Sequence, residues 1–125
     1  MTDLPYRVIV TGSRDWTDAD TIHEALDEVY CRVPAEQDFV LVHGGCPTGA
    51  DAIAHAWAEP TAATIDIFIA DWANQGKAAG PRRNVRMVAE GADLCLAFIK
   101  GGSRGATHTA TIADRAGIPV KRWTA

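Results

Sequence analysis

The hydrophobic positions of this chain change repeatedly between short continuous runs and helical spacing. Five apolar runs bounded by turn residues predict strands over residues 6–11, 39–42, 65–69, 94–99 and 120–123. Between these runs, apolar residues recur every three or four positions and predict helices over residues 22–30, 50–58, 81–90 and 106–116. Thr17, with Asp20 three residues later, is the predicted cap of the first helix.

The order β-α-β-α-β-α-β-α-β predicts an α/β fold. We expect a three-layer Rossmann-like domain, with a parallel five-stranded sheet and helices on both faces. Three of the strands are almost continuously apolar, which is typical of strands buried on both faces. A flavodoxin-like sheet is the alternative. No linker, repeat or low-complexity segment is visible, so residues 1–125 are expected to form a single domain.

Composition narrows the class of protein. The chain has 125 residues, of which 47% are hydrophobic and 22% charged, as in a globular domain with a sizeable core. Its net charge of −4 argues against nucleic acid as the main partner. Three cysteines at irregular spacing indicate a reducing compartment rather than a disulfide framework. Neither a signal peptide nor a membrane-spanning run is visible, so we expect a cytoplasmic protein without a membrane partner.

The first predicted strand leads into a loop that could bind phosphate. Ligands of open parallel sheets bind beyond the carboxyl ends of the strands, where the strand order reverses. Gly12 allows close approach of the backbone to a phosphate, and Ser13 and Arg14 carry donors. The alternative is an ordinary Gly-Ser turn with a surface arginine.

The second strand is followed by His43-Gly44-Gly45-Cys46-Pro47-Thr48-Gly49, directly before a helix. The amides of this loop and the helix dipole predict an anion site. The loop matches neither the Walker pattern nor G-x-G-x-x-G. Asp51 either accepts a hydrogen bond from a ribose hydroxyl or only complements the helix N-terminus.

The third loop is cationic on an acidic protein. Residues 72–89 contain no acidic side chain but four basic ones: Lys77, Arg82, Arg83 and Arg86. Such a local patch indicates a small anionic ligand. Alternatively, the loop is solvated and its arginines pair with Asp15 or Asp71.

The fourth loop, over residues 100–108, again combines glycines and a serine before a helix, and is expected beside the first loop.

Other chemistries remain possible in these loops. Trp16 and Trp72 could stack on a base or cover the edge of the core. Cys46 is more simply an ordinary loop cysteine than a nucleophile, because no histidine and carboxylate partner it at a known spacing. A metal site built from His43, Cys46, Asp51 and His55 lacks the spacing of known zinc sites. We therefore expect neither a metal nor an obligatory cofactor, only a nucleotide-type ligand.

The sequence thus predicts one ligand site assembled from four loops. The candidate ligand-binding residues are Gly12, Ser13, Arg14, Trp16, His43, Gly44, Gly45, Thr48, Gly49, Asp51, Asp71, Trp72, Lys77, Arg82, Arg83, Asn84, Gly101, Gly102, Ser103, Gly105 and Thr107.

Several of these motifs, taken in order, resemble the SLOG superfamily. They are Val8-Ile9-Val10-Thr11-Gly12-Ser13-Arg14, His43-Gly44-Gly45 with Gly49-Ala50-Asp51, Gly80-Pro81-Arg82-Arg83-Asn84 with Met87, Gly91-Ala92-Asp93, and the loop from Gly101 to Thr107. The chain is most similar to the small single-domain branch that is common in phage and bacterial genomes. The superfamily also includes phosphoribohydrolases of the lonely-guy type, the DNA-processing protein involved in transformation, and predicted sensors of nucleotide-derived signals.

The resemblance implies a Rossmann-like fold, a nucleotide or ADP-ribose-like ligand at these loops, and a possible homodimer. It leaves enzymatic activity open. The phosphoribohydrolases carry Pro-Gly-Gly-x-Gly-Thr followed by a catalytic glutamate. Here Ala106 replaces the threonine, and His108 or Thr109 stands where the glutamate is expected. Asp51 and Asp71 are the catalytic candidates that remain.

Three functional hypotheses follow from the sequence. The first is a module that senses or sequesters a nucleotide-derived small molecule. The second is an N-glycosidase or phosphoribohydrolase acting on nucleoside monophosphates. The third, by analogy with the DNA-processing relative, is binding of single-stranded DNA, which the acidic charge balance disfavours.

Overall fold

The computed structural model describes residues 4–125 and contains the predicted parallel sheet. Its five strands are β1 (Tyr6–Gly12), β2 (Phe39–His43), β3 (Thr64–Ile67), β4 (Leu94–Ile99) and β5 (Val120–Thr124). They pair in parallel in the order β3-β2-β1-β4-β5. This is the Rossmann order and not that of flavodoxin, in which β1 is flanked by β2 and β3.

Helices cover both faces of the sheet, as predicted. They are α1 (Ala19–Arg32), α2 (Gly49–Ala58), α3 (Trp72–Gln75), α4 (Ala79–Ala89) and α5 (Arg104–Arg115), with a 3-10 turn at Gly76–Ala78. Among the described residues, no helix is long and apolar enough to cross a membrane.

Alternate residues of the central strands form separate cores on the two faces. Val8 and Val10 of β1 pack with Leu26 of α1 and with α2 on one face. Ile9 of the same strand packs with Met87 of α4 on the other face. All residues of β2 and β4 are buried, because both strands lie inside the sheet and are covered from above and below.

Three local expectations need correction. Asp18, not Thr17, caps α1, because its carboxylate accepts hydrogen bonds from both the N–H and the hydroxyl of Thr21. The third strand ends at Ile67 rather than at residue 69. The segment read as a loop after it contains α3 and the 3-10 turn. The helix predicted over residues 81–90 extends over Ala79–Ala89 as α4, and Gly91 follows its end with a φ of 88°.

The topology brings the loops after β1 and β4 together. The chain leaves β1 toward α1 on one face and β4 toward α5 on the other, so a crevice opens between these two central strands. Two of the loops that the sequence predicts to bind a ligand lie on either side of this crevice.

Candidate functional site

A cleft of about 870 Å³ lies at the carboxyl edge of the sheet. It is lined by the loops after β1, β2 and β4, by the segment around α3, and by α4. The structure brings together more than half of the predicted residues there: Gly12, Ser13, Arg14, Gly44, Gly45, Asp51, Trp72, Arg83, Asn84, Ser103 and Gly105.

The other predicted residues lie outside the cleft lining. They are Trp16, His43, Thr48, Gly49, Asp71, Lys77, Arg82, Gly101, Gly102 and Thr107. Several of them stabilise the fold, such as Gly49 at the contact of α2 with the loop after β1 and Asp71 at the N-terminus of α3.

The loop after β2 (residues 44–48, the β2 loop) folds around the carboxylate of Asp51. Asp51 Oδ2 accepts hydrogen bonds from the backbone N–H groups of Gly44, at 3.2 Å, and Cys46, at 3.3 Å. The N–H of Gly45 donates to His43 Nδ1 at 2.9 Å. Three consecutive amides that the sequence assigned to an anionic ligand therefore bind side chains of the protein itself.

Asp51 nevertheless keeps one oxygen for other partners. Its side chain lies in the first turn of α2 and is almost fully buried. Oδ1 makes no hydrogen bond to any described residue, yet it is not sealed from solvent. Burial raises the pKa of Asp51 to about 6, and the two backbone donors and Arg83 oppose this effect. The carboxyl group thus titrates close to neutral pH.

Glycines allow α2 to approach β1 closely. A Cβ atom on Gly12 would lie 2.3 Å from the Cβ of Ala50, and one on Gly49 would lie 2.2 Å from the carbonyl oxygen of Ser13. Gly49 also has a φ of 71°, which disfavours other residues. Both glycines are therefore needed for the close packing of α2 against β1 and the loop after it. Gly12 also lines the cleft.

Ser13 connects the two loops on either side of the crevice. Its hydroxyl accepts a hydrogen bond from the N–H of Lys100 at 2.7 Å and lies 3.2 Å from the carbonyl oxygen of the same residue. Its own N–H donates to the carbonyl of Phe98. The hydroxyl that the sequence offered to phosphate is thus engaged in joining the ends of β1 and β4.

The loop after β4 (residues 100–103, the β4 loop) provides no side-chain cap for the helix that follows it. Ser103 occupies the N-cap of α5 but its side chain makes no capping hydrogen bond. The N–H groups of Arg104, Gly105 and Ala106 have no acceptor within residues 4–125. Free amides at a helix N-terminus favour an anion, and here they border the cleft.

Arg83 crosses the cleft from α4. Its guanidinium donates to the carbonyl of Gly44 at 2.5 Å and to Asn84 Oδ1 at 2.9 Å. Burial lowers the pKa of Arg83, while nearby Asp51 acts in the opposite direction. The arginine therefore connects the β2 loop to α4.

Asn84 extends this chain of contacts to α5. It is buried, and its Nδ2 lies 3.2 Å from Nδ1 of His108. His108 lines the cleft, whereas Thr109 is fully buried and donates its hydroxyl to the carbonyl of Gly105. Of the two residues that stand where the phosphoribohydrolases carry glutamate, only His108 therefore reaches the site.

The two loop tryptophans differ in position. Trp16 is 4% exposed, meets the ring of Phe98 edge-on, and donates its indole N–H to the carbonyl of Asp18, so it belongs to the core. Trp72 is 50% exposed and lies at the cleft, with the guanidinium of Arg14 5.8 Å from its ring centroid. Only Trp72 is available to stack on a base.

His43 is a buried support of the β2 loop. Besides accepting from Gly45, its Nε2 lies 3.0 Å from Nδ1 of His55. Because the Gly45 N–H faces Nδ1, the proton of the neutral ring lies on Nε2 and is donated to His55. Burial, together with His55 and Arg83, lowers the pKa of His43 to about 4.

Asp71 and the exposed cations of the third loop are not among the residues that line the cleft. The carboxylate of Asp71 caps α3 through the N–H and the side-chain amide of Asn74. The basic residues of this segment form no ion pair with Asp15 or Asp71, and Arg86 donates instead to the carbonyl of Ile69. The alternative in which these arginines pair with the two aspartates is wrong.

The polar cleft residues that the sequence-based prediction missed include Lys100, Arg104 and His108 of the fourth loop, besides Thr11 of β1 and Asp15 in the loop after it. The first three matter most for the charge and chemistry of the cleft. Lys100, Arg104 and His108 lie within the fourth glycine-rich loop, so the sequence indicated their position but not their role. With them, the lining contains four permanent cations, Arg14, Arg83, Lys100 and Arg104, against the carboxylates of Asp15 and Asp51. The cleft is thus cationic on a chain whose net charge is −4.

The four residues that could be imagined as metal ligands are His43, Cys46, Asp51 and His55. The structure engages His43 and Asp51 with backbone amides and pairs the two histidines with each other. Within the described part of the chain, no group of three or more such side chains has an arrangement that could hold a metal ion.

Comparison with known proteins identifies the family. The "Gene 61 protein" of Mycobacterium phage D29 is 46% identical over 119 residues, which cover 91% of this chain and 93% of that protein. No solved structure matches the chain with statistical significance. The family model described as "YspA, cpYpsA-related SLOG family" matches residues 6–78, more than half of the chain. The resemblance to the SLOG superfamily is therefore confirmed, and this chain belongs to the YspA, cpYpsA-related SLOG family.

Proposed function

We propose that this protein binds a nucleotide-derived small molecule of the ADP-ribose type in the cleft and acts as a sensor or sequestering module. Membership of a SLOG family suggests nucleotide-related binding or processing. The observation that carries the proposal is the excess of positive charge in the cleft of an acidic protein. Such a field concentrates a small anion without favouring a long polyanion.

Each part of such a ligand has a counterpart in the cleft. The free amides at the start of α5, with Lys100 and Arg104, suit a phosphate. Asp51 Oδ1 suits a ribose hydroxyl, because it is an acceptor without a partner. Trp72 suits a base, with Arg14 above its ring.

A ligand screen tests the proposal. The purified protein is heated with AMP, ADP, ADP-ribose, NAD and a single-stranded oligonucleotide, and each ligand is analysed for integrity afterwards. We expect at least one of the small nucleotides to raise the melting temperature and to remain intact. Arg14→Gln should reduce the shift, whereas Arg115→Gln, at the far end of α5, should not. Absence of a shift with every nucleotide, or a salt-sensitive shift with the oligonucleotide alone, would overturn the proposal.

Hydrolysis of an N-glycosidic bond is the second candidate, and Asp51 is the residue that favours it. A carboxyl group with a pKa of about 6 and a free oxygen in a cleft has the properties of a general acid or base. Asp71 offers no comparable support, because both of its oxygens bind Asn74. Release of adenine from AMP by the wild type, and its loss in Asp51→Asn, would establish this activity in place of simple binding.

A further inference from the structure

The cleft contains a histidine whose orientation and tautomer are determined by its neighbours. The guanidinium of Arg83 has only donors, so the atom of Asn84 that faces it at 2.9 Å is the acceptor oxygen. The amide nitrogen of Asn84 therefore faces His108, with 3.2 Å between Nδ2 and Nδ1. Because this nitrogen is a donor, Nδ1 of His108 must be the acceptor.

A neutral imidazole that accepts at Nδ1 carries its proton on Nε2. Nε2 of His108 makes no hydrogen bond to any described residue and is not sealed from solvent. His108 itself lines the cleft, one turn beyond the free amides at the start of α5. The cleft thus contains a donor that is held in place and has no partner in the protein.

We propose that His108 Nε2–H is a specificity-determining donor to an acceptor oxygen of the ligand, and that Arg83 and Asn84 are the positioning residues that keep its proton on Nε2. The inference rests on the proposed function, because it requires a ligand in the cleft. The inference specifies which chemical group of the ligand His108 recognises. This group is an acceptor oxygen on the part of the ligand that lies at the start of α5. A phosphate oxygen or a sugar hydroxyl oxygen next to a phosphate meets this requirement.

Nitrogen-15 NMR of the imidazole rings tests the tautomer without any ligand. His108 is assigned by the signal that disappears in His108→Gln. At a pH where the ring is neutral, we expect its Nδ1 to resonate as an unprotonated acceptor and its Nε2 as a protonated nitrogen. Asn84→Asp replaces the donor by an acceptor and should move the proton to Nδ1. A wild-type ring with its proton on Nδ1 would overturn the inference even if nucleotides bind.

Binding of AMP and ADP-ribose tests the donor itself. His108→Phe removes both ring nitrogens but keeps a planar ring, and should weaken binding by about 10-fold or more if the acceptor oxygen is charged. His108→Gln places an amide N–H near the former Nε2 and should recover most of the affinity. His23→Phe is the matched control, because His23 lies on α1 and not in the cleft lining.

The outcomes separate this inference from the proposed function. If wild type binds AMP or ADP-ribose and His108→Phe binds it equally well, the role of His108 is wrong and the proposed function stands. If Asn84→Asp changes the tautomer but not the affinity, the positioning role is wrong. If neither nucleotide binds the wild type, the role of His108 falls together with the assignment of this ligand class.

Discussion

The β2 loop and the first turn of α5, which both border the cleft, use their backbone amides in opposite ways. In the β2 loop, the N–H groups of Gly44, Gly45 and Cys46 all donate to side chains of the protein. The β4 loop likewise binds most of its own amides, since the N–H groups of Lys100, Gly101 and Ser103 all donate within the protein. The amides of residues 104–106, in the first turn of α5 that follows it, have no acceptor among the described residues and border the cleft.

Amides that are already bonded to the protein stabilise the fold, whereas free amides are available to a ligand. Asp51 supplies to the β2 loop the negative charge that a bound anion would otherwise supply. No such carboxylate accompanies the β4 loop, whose neighbouring side chains are cationic. We therefore expect changes in the β2 loop to affect mainly folding and changes around the β4 loop to affect mainly binding.

The largest expected effect comes from Gly49, where the β2 loop joins α2. Its φ is 71°, and an added Cβ would lie 2.2 Å from a backbone oxygen of Ser13. We expect Gly49→Ala to lower the free energy of unfolding by about 2–5 kcal/mol, from backbone strain and overpacking together. Urea denaturation measures this loss.

Gly102 in the β4 loop is the matched control for that substitution. Its φ is 67°, but an added Cβ would meet nothing within 4 Å. Gly102→Ala should therefore cost only the left-handed strain of about 1–2 kcal/mol. Equal losses for the two variants would mean that close packing is not what distinguishes the loops.

Removing the internal anion of the β2 loop should have the next largest effect. Asp51→Ala leaves the N–H groups of Gly44 and Cys46 without their acceptor, so we expect a loss of about 2–4 kcal/mol. Asp51→Asn keeps an acceptor oxygen and should lose less. Ser103→Ala at the N-cap of α5 should change stability by less than about 0.5 kcal/mol, since its hydroxyl makes no capping bond. A loss for Ser103→Ala as large as for Asp51→Ala would contradict the contrast.

Asp51 and His43, the two side chains that accept hydrogen bonds from the backbone of the β2 loop, have opposing pH effects. The pKa of Asp51 is raised by burial from 3.8 to about 6, so the native state binds more protons than the unfolded state in this range. That contribution makes stability fall as pH rises from about 4 to 6. The pKa of His43 is lowered by burial from 6.5 to about 4, so its contribution makes stability rise with pH over about the same range.

We therefore expect the stability of the wild type to vary little between pH 4 and 6. In Asp51→Asn only the His43 contribution remains, so the free energy of unfolding should increase by about 2 kcal/mol as pH rises from 4 to 6.5. His43→Gln should show the reverse and lose about 2 kcal/mol as pH rises from 4 to 6. Denaturation curves recorded at each pH measure both slopes. Slopes of the same sign in the two variants would disprove the compensation.

The sequence predicted the sheet well where burial dominates. The strands β1, β2 and β4 are apolar along nearly their whole length because they are covered on both faces. The edge strand β3 was predicted two residues too long, because the apolar Ile69 continues the pattern although it is 64% exposed. The four-residue α3 is too short to show a period, and it depends on the cap that Asp71 provides.

The candidate site was predictable in position but not in detail. Parallel topology alone brings the loops after β1 and β4 together. Whether an amide is free depends on contacts that composition does not contain, such as Asp51 reaching back seven residues to Gly44. The core position of Trp16 and the link from Asn84 to His108 also depend on packing between elements that are distant in sequence.

The smallest expected effect concerns Arg104, and it should have opposite signs for folding and binding. Arg104 is exposed at the first position of α5, where its charge opposes the helix dipole. Arg104→Gln should therefore raise the free energy of unfolding by about 0.3–1 kcal/mol. The same change should weaken binding of AMP about 2- to 5-fold at low salt and less at high salt, because the charge is exposed and screened.

Arg115, in the last turn of the same helix, provides the control for Arg104. There the dipole favours a cation, so Arg115→Gln should lower stability by a similar amount and leave the affinity for AMP unchanged. Calorimetry for binding and urea denaturation for stability measure the two quantities on the same samples. If Arg104→Gln stabilises the fold without lowering the affinity for AMP, the free amides of α5 border the cleft but do not bind the phosphate. The contrast between the β2 loop and the first turn of α5 would then describe hydrogen bonding alone.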